Sequence, residues 1–199
     1  MQEFLEKLIG FPMSQISLVL ALFGTYFLAL IHNQLVSASQ KHIFNISSSL
    51  LMYCVLFGVN DIAHLLISPI LIYVFSAYFR SNRLYPIISF VFAMGYIACR
   101  HFYTQFLAEH ILTFDGTAPL MIMVIKVTSF FWCLSDGTRP DSELSESQKA
   151  LAVKKLPSLL EYFGYMFFFG GFLVGPALEF NDYMNFCLLK VHLINLETI

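Results

Sequence analysis

The stretch LPSLLEYFGYMFFFGGFLVGPALEFNDYMNF, residues 156–186, decides how the rest of the chain is read. Its middle, residues 159–174, is almost wholly apolar or small, with Glu161 as the one charge. At Gly175-Pro176 the character changes to Glu179, Asn181, Asp182 and Tyr183. At about 1.5 Å per residue a helical run of this length extends roughly 24 Å, nearly the ~30 Å of a hydrocarbon core. Proline lacks a backbone donor and clashes one turn back, so Pro176 predicts a break at the membrane face. The stretch therefore predicts a membrane helix that delivers a small polar platform, with aromatic and acidic residues at headgroup level.

Working outward, the composition supports a hydrophobic body around this element. The chain is 58% hydrophobic and 12% charged, against about 25% charge in a soluble domain. Its mean hydropathy is +0.71. The fold class that follows is an all-α, polytopic transmembrane helical protein whose spans bury one another. The formal net charge of -2, without clustered Lys and Arg, speaks against nucleic acid as a partner. Cys54, Cys99, Cys133 and Cys187 are scattered and read as buried thiols acting as small hydrophobes. Residues 1–10 have an amphipathic look. Glu3, Glu6 and Lys7 do not make the basic start of a cleavable signal, so this segment is expected on the bilayer surface.

Five spans result, at 13–31, 43–59, 62–79, 84–99 and 118–134, with 102–114 as a sixth, partly buried or interfacial helix. Residues 32–42 read as a polar loop, 60–61 as a minimal hinge, and Pro69 as a kink within its span. Arg80 and Arg83 stop the third span, and Arg100-His101 the fourth. The long hydrophilic loop, 135–155, shares the cytoplasmic side with the basic segments at 32–42 and 80–83 if basic residues stay inside. Asn45-Ile46-Ser47 is a glycosylation sequon, but on this threading it faces the cytoplasm, so Asn45 reads as a plain loop residue.

Lys126 is the residue that most invites a chemical reading. A charge near the middle of a span costs about 3 kcal/mol by insertion scales, so it is expected to face protein or a water-filled cavity. Asp115 and Glu161 are its expected acidic partners; a structural ion pair, a snorkelling lysine and the wall of a polar chamber all remain open. Tyr162, Tyr165 and Tyr183 read equally as interfacial anchors. Phosphate-loop, HExxH, GxSxG and CxxC patterns are absent, and the six histidines never form a metal spacing with acids or cysteines. No metal site and no catalytic residue is assigned. Residues alone give a polytopic membrane protein with a buried polar cluster.

Taken in order, Asp115-x-Thr117, Lys126-x-x-Ser129-Phe130, Asp136-Gly137, LPSLLEYFGYMFFF and Gly175-Pro176-x-x-Glu179-x-x-Asp182-Tyr183-x-x-Phe186 form a set. That set resembles the membrane-bound O-acyltransferase family, and within it the lysophospholipid acyltransferase branch. The resemblance implies a many-helix fold in the endoplasmic reticulum membrane, with acyl transfer from acyl-CoA to the free hydroxyl of a lysophospholipid. It implies membrane lipids, acyl-CoA and lysophospholipid as partners, acyl-CoA as co-substrate, and no separate cofactor. On this reading Asp115, Lys126, Asp136, Glu161, Glu179, Asp182 and Tyr183 line or brace the substrate chamber. Lys149, Lys154 and Lys155 stand at its CoA mouth, and the Pro176 break shapes a lipid-side opening.

The family's catalytic pair is an asparagine followed well downstream by a histidine in a hydrophobic span near tryptophans. Trp132 precedes the matched set, and Asn181, Asn185, Asn195 and His192 lack that context. No catalytic role is carried over. The expectation is one transmembrane domain over 1–199, incomplete, corresponding to the front portion of such an enzyme and inactive alone. The competing readings are an O-acyltransferase for a sterol, diacylglycerol or protein, and a non-enzymatic scaffold or transporter fragment.

Overall fold

The computed structural model describes residues 10, 13–59, 62–106 and 116–197. Asp115, the 60–61 hinge, residues 107–114 and the amphipathic start at 1–9 lie outside the described residues. The described chain is all-helical. α1 (Met13–Gln34), α2 (Ala38–Phe57), α3 (Ile62–Phe79), α4 (Tyr85–Phe106) and α5 (Thr117–Asp136) are long. α6 (Glu146–Leu151) and α7 (Leu159–Met166) are short, and α8 (Phe180–Glu197) closes the series. α1, α3, α4 and α5 are each long and apolar enough to cross a membrane. The chain is a multi-pass membrane protein.

α5 sits at the centre. It packs on α3 and α4 along one side and on α7 along another, while α2 lies against α1, α7 and α8. The core they enclose is aromatic: Phe130 and Phe131 of α5, Tyr162, Tyr165 and Phe167 at α7, and Tyr183 of α8 are all fully buried. α3 runs through Pro69, whose carbonyl accepts a hydrogen bond from Tyr162 Oη at 2.9 Å. Ser76 of α3 and Tyr85 of α4 join the two helices across their turn at 2.5 Å.

Several boundaries differ from the sequence expectation. The loop expected at 32–42 shrinks to residues 35–37, because Ser37 and Gln40 form a capping box that starts α2 early. Lys41 and His42 are thereby helical, His32 is held in α1, which runs on to Gln34, and all three are buried. Arg100 and His101 do not end α4, which continues to Phe106, arginine being a good helix former; Arg100 lies over the Tyr103 ring at 5.7 Å. The 135–155 loop holds a 3₁₀ turn, Asp141–Glu143, and α6, with Ser145 and Gln148 as its capping box. Of the cysteines, Cys133 and Cys187 are buried, but Cys99 is exposed.

The largest correction concerns residues 159–174, which do not form one membrane helix. α7 ends at Met166, followed by a 3₁₀ turn, Phe169–Gly171, and non-helical backbone to the start of α8. The break precedes Pro176 and is set by glycines. A Cβ on Gly175 would stand 2.5 Å from the Gly170 carbonyl oxygen, and one on Gly171 would stand 2.8 Å from that of Pro176. The chain folds back on itself at a separation only glycine permits.

Candidate functional site

Non-helical backbone within a hydrophobic bundle is tolerated where protein satisfies its polar groups. The segment after α7 shows how this is done. The last carbonyls of α7 have no intrahelical donors and carry the negative end of the helix dipole. Lys126 supplies both needs. Its side chain is 1% exposed, and Nζ donates to the carbonyls of Tyr165 and Met166, each at 3.2 Å. It also lies over the Tyr165 ring, 5.6 Å from the centroid. Ser49 of α2 donates to the Phe167 carbonyl at 2.6 Å, and Tyr165 Oη donates to the Leu178 carbonyl at 2.9 Å. Three helices thus pin one broken segment.

Glu161 is not the partner of Lys126. It is the third helical residue of α7 and closes a capping box, its carboxylate accepting from Ser158 N at 2.7 Å and Ser158 Oγ at 2.8 Å. A carboxylate three residues into a helix meets the positive end of the dipole. The two charges therefore serve opposite ends of the same helix.

A second polar cluster joins α2 to α8. Tyr183 Oη lies 2.6 Å from His42 Nδ1 and accepts from Asn45 Nδ2 at 3.0 Å. Lys41 Nζ donates to the Cys187 carbonyl at 2.8 Å. Asn45 is fully buried in α2, so it is not the loop residue expected from the sequon, and its Oδ1 has no hydrogen-bond partner. Gly164 of α7 lets the cluster close, since a Cβ there would meet Tyr183 Oη at 2.5 Å. Burial raises the Tyr183 phenol above its ordinary range, keeping it a neutral donor. Burial also lowers the His42 imidazole, with Glu161 raising it and Lys41 lowering it further. Tyr162, Tyr165 and Tyr183 are core residues and not interfacial anchors.

The remaining candidates disperse. Glu179 is half-buried; it accepts from Ser129 Oγ and from Cys133 Sγ at 3.8 Å, which ties the start of α8 to α5. Asp136, at the end of α5, accepts from Gln148 Nε2 at 3.2 Å and pairs with Arg139 at 3.5 Å, bracing the 135–155 segment. Asp182 is exposed. Of the lysines expected at a CoA mouth, Lys149 pairs with Glu146 at 2.7 Å and Lys154 with Asp141 at 3.5 Å. Lys155 borders a cleft of about 520 Å³ together with Tyr73, Glu161, Phe180 and Met184. Lys126 and Tyr165 meet, as do Tyr183 and α2; Glu161 reaches the second cluster only through its charge, and Asp136 and Asp182 stand apart from both.

The α2 residues His42, Asn45 and Ser49 were missed because residues 43–59 read as a plain span behind a loop. Their spacing, at positions 42, 45 and 49, is the signal: three polar residues on one face of a helix point inward together.

Comparison with known proteins gives this arrangement its lineage. The profile of the membrane-bound O-acyltransferase family (MBOAT) matches residues 101–198. The chain is 33% identical to a lysophospholipid acyltransferase of Schizosaccharomyces pombe, over 95% of this chain and 37% of that protein. It is 34% identical to lysophospholipid acyltransferase 6 of Drosophila melanogaster, over 90% of this chain and 24% of that protein. It is 30% identical to human membrane-bound glycerophospholipid O-acyltransferase 2, over 92% of this chain and 36% of that protein. The chain therefore spans between about a quarter and two-fifths of the length of these relatives. These matches show that the chain belongs to the membrane-bound O-acyltransferase family.

Proposed function

We propose that this chain is part of a lysophospholipid acyltransferase of the endoplasmic reticulum membrane, and that its 199 residues form one portion of a larger transmembrane acyltransferase domain. The observation that carries the substrate class is the 33% identity over 95% of the chain to a relative named for it. In this reaction a lysophospholipid hydroxyl attacks the acyl-CoA thioester carbonyl. An ester bond forms, the thioester bond breaks, and the hydroxyl proton ends on the CoA thiol. The described residues supply scaffold to that chemistry. Lys126, Ser49 and Tyr165 hold the α7–α8 break in shape, and Tyr183 with His42 and Asn45 locks α8 in place. Asp136 and Glu179 brace the segments on either side.

The test is transfer of a labelled acyl group from acyl-CoA by membranes containing the full-length protein, across a panel of acceptors. Product on one or more lysophospholipids is expected. Transfer to a sterol, diacylglycerol or peptide, with none to any lysophospholipid, would reject the substrate class while leaving the family intact.

A further inference from the structure

We propose that the cleft between the α3–α4 turn and the end of α5 binds a phosphate group presented at the membrane surface. The cleft has a volume of about 200 Å³ and is lined by polar residues of the turn, including Asn82 and Arg83, and by Trp132, Asp136 and Arg139 around the end of α5. It opens where two apolar spans end, the depth at which tryptophan and arginine meet lipid headgroups.

Its charges are available for a ligand. Arg83 is exposed and makes no ion pair among the described residues. Arg139 is shared between Asp136 at 3.5 Å and Glu143 at 3.6 Å, both long for a charge-assisted bond. The Asp136 carboxylate is already engaged by Gln148 as well as by Arg139. Arg80, on the same turn, has a buried Nη1 without a hydrogen-bond partner, so this turn is short of acceptors. Arg83 and Arg139 line the cleft from two segments, and guanidinium groups fit the oxygens of a phosphate in geometry and in charge.

The phosphate has two possible carriers, an anionic phospholipid headgroup in the same leaflet or a soluble phosphorylated molecule such as coenzyme A. The inference does not depend on acyl transfer. Trp132 is the single tryptophan of these 199 residues and lines the cleft, so the part of an emission change that Trp132→Phe abolishes reports occupancy. The full-length protein, in micelles of a phosphate-free maltoside, is titrated in two arms: phosphatidic acid added to the micelle, and coenzyme A added in solution. At least one arm gives a saturable change in Trp132 emission that weakens as salt rises, and the responding arm identifies the carrier. Arg83→Gln and Arg139→Gln each raise the half-saturating concentration about tenfold. Arg83→Lys recovers part of the loss, and Arg100→Gln, near the opposite end of α4, leaves the titration unchanged. No saturable change in either arm overturns the proposal. So does a change that either glutamine variant leaves intact, or one that Arg100→Gln weakens equally.

Discussion

The α3–α4 hairpin and the α5–α7 contact are made from similarly apolar sequence, yet they treat polar groups in opposite ways. Only 17% of the α4 span is buried, against 56% of the α5 span. The hairpin turns Leu71, Val74, Tyr78, Phe79 and Val91 outward, a face suited to lipid tails or to further protein. Between its own helices the polar contacts are hydroxyl or imidazole pairs, Ser76 with Tyr85 and His64 with Tyr96 at 2.9 Å, and toward α7 they are single neutral bonds, Tyr162 to the Pro69 carbonyl and Tyr73 to the Pro157 carbonyl. The α5–α7 region instead encloses a lysine. A hydrophobic bundle accommodates Lys126 because a helix stops beside it and offers bare carbonyls. A continuous helix across 159–174 would leave each carbonyl only its second lone pair, since the first would already hold an intrahelical bond. The charge and the break are two halves of one feature.

The largest expected effect tests that pairing. Lys126→Leu strands the Met166 carbonyl and leaves that of Tyr165 only its 3.3 Å bond from Phe168 N; an unsatisfied buried acceptor costs about 1–3 kcal/mol, so we expect a loss of roughly 2–3 kcal/mol in thermal unfolding of the detergent-solubilised protein. Unchanged stability would make the lysine a bystander. Tyr183→Phe comes next, leaving His42 Nδ1 and Asn45 Nδ2 without their shared partner, at about 2 kcal/mol. Restoration by the added substitution Asn45→Ala would sharpen this, because it removes one stranded donor.

Smaller still is Glu161→Ala, which opens a capping box at the other end of α7 and is worth about 1 kcal/mol. A loss matching that of Lys126→Leu would erase the distinction between the two charges. The hairpin supplies the smallest effect. Tyr78 is 79% exposed, and Tyr78→Leu should leave stability within about 0.5 kcal/mol, as read by the same melting experiment. A large loss there would mean that the outward face is already packed against something.

The helical class and the spans at α1, α3 and α5 were legible because long apolar runs have few alternatives. The burial of Lys126 was legible for the same reason, as a charge in such a run must face protein. Its partner was not. Pattern reading looks for an opposite charge and found Glu161, whereas the carbonyls that Lys126 binds stand at the end of α7, where the helix stops ahead of the close approach of Gly171 and Gly175 to the backbone opposite them. The α2 face was hidden by a different cause. Lys41 and His42 look like loop residues until Ser37 and Gln40 are recognised as a cap, after which Asn45 and Ser49 fall on the same inward side.

A double-mutant cycle on Lys126 and Glu161 tests the central claim most directly. Lys126→Leu, Glu161→Leu and the double variant are melted under identical detergent conditions. Because Lys126 binds the carbonyl end of α7 and Glu161 caps its other end, the two losses should add to within about 0.5 kcal/mol. An acid–base pair predicts the reverse: with both charges gone the double variant would recover well over ~1 kcal/mol relative to Lys126→Leu alone. Such a recovery would contradict the account.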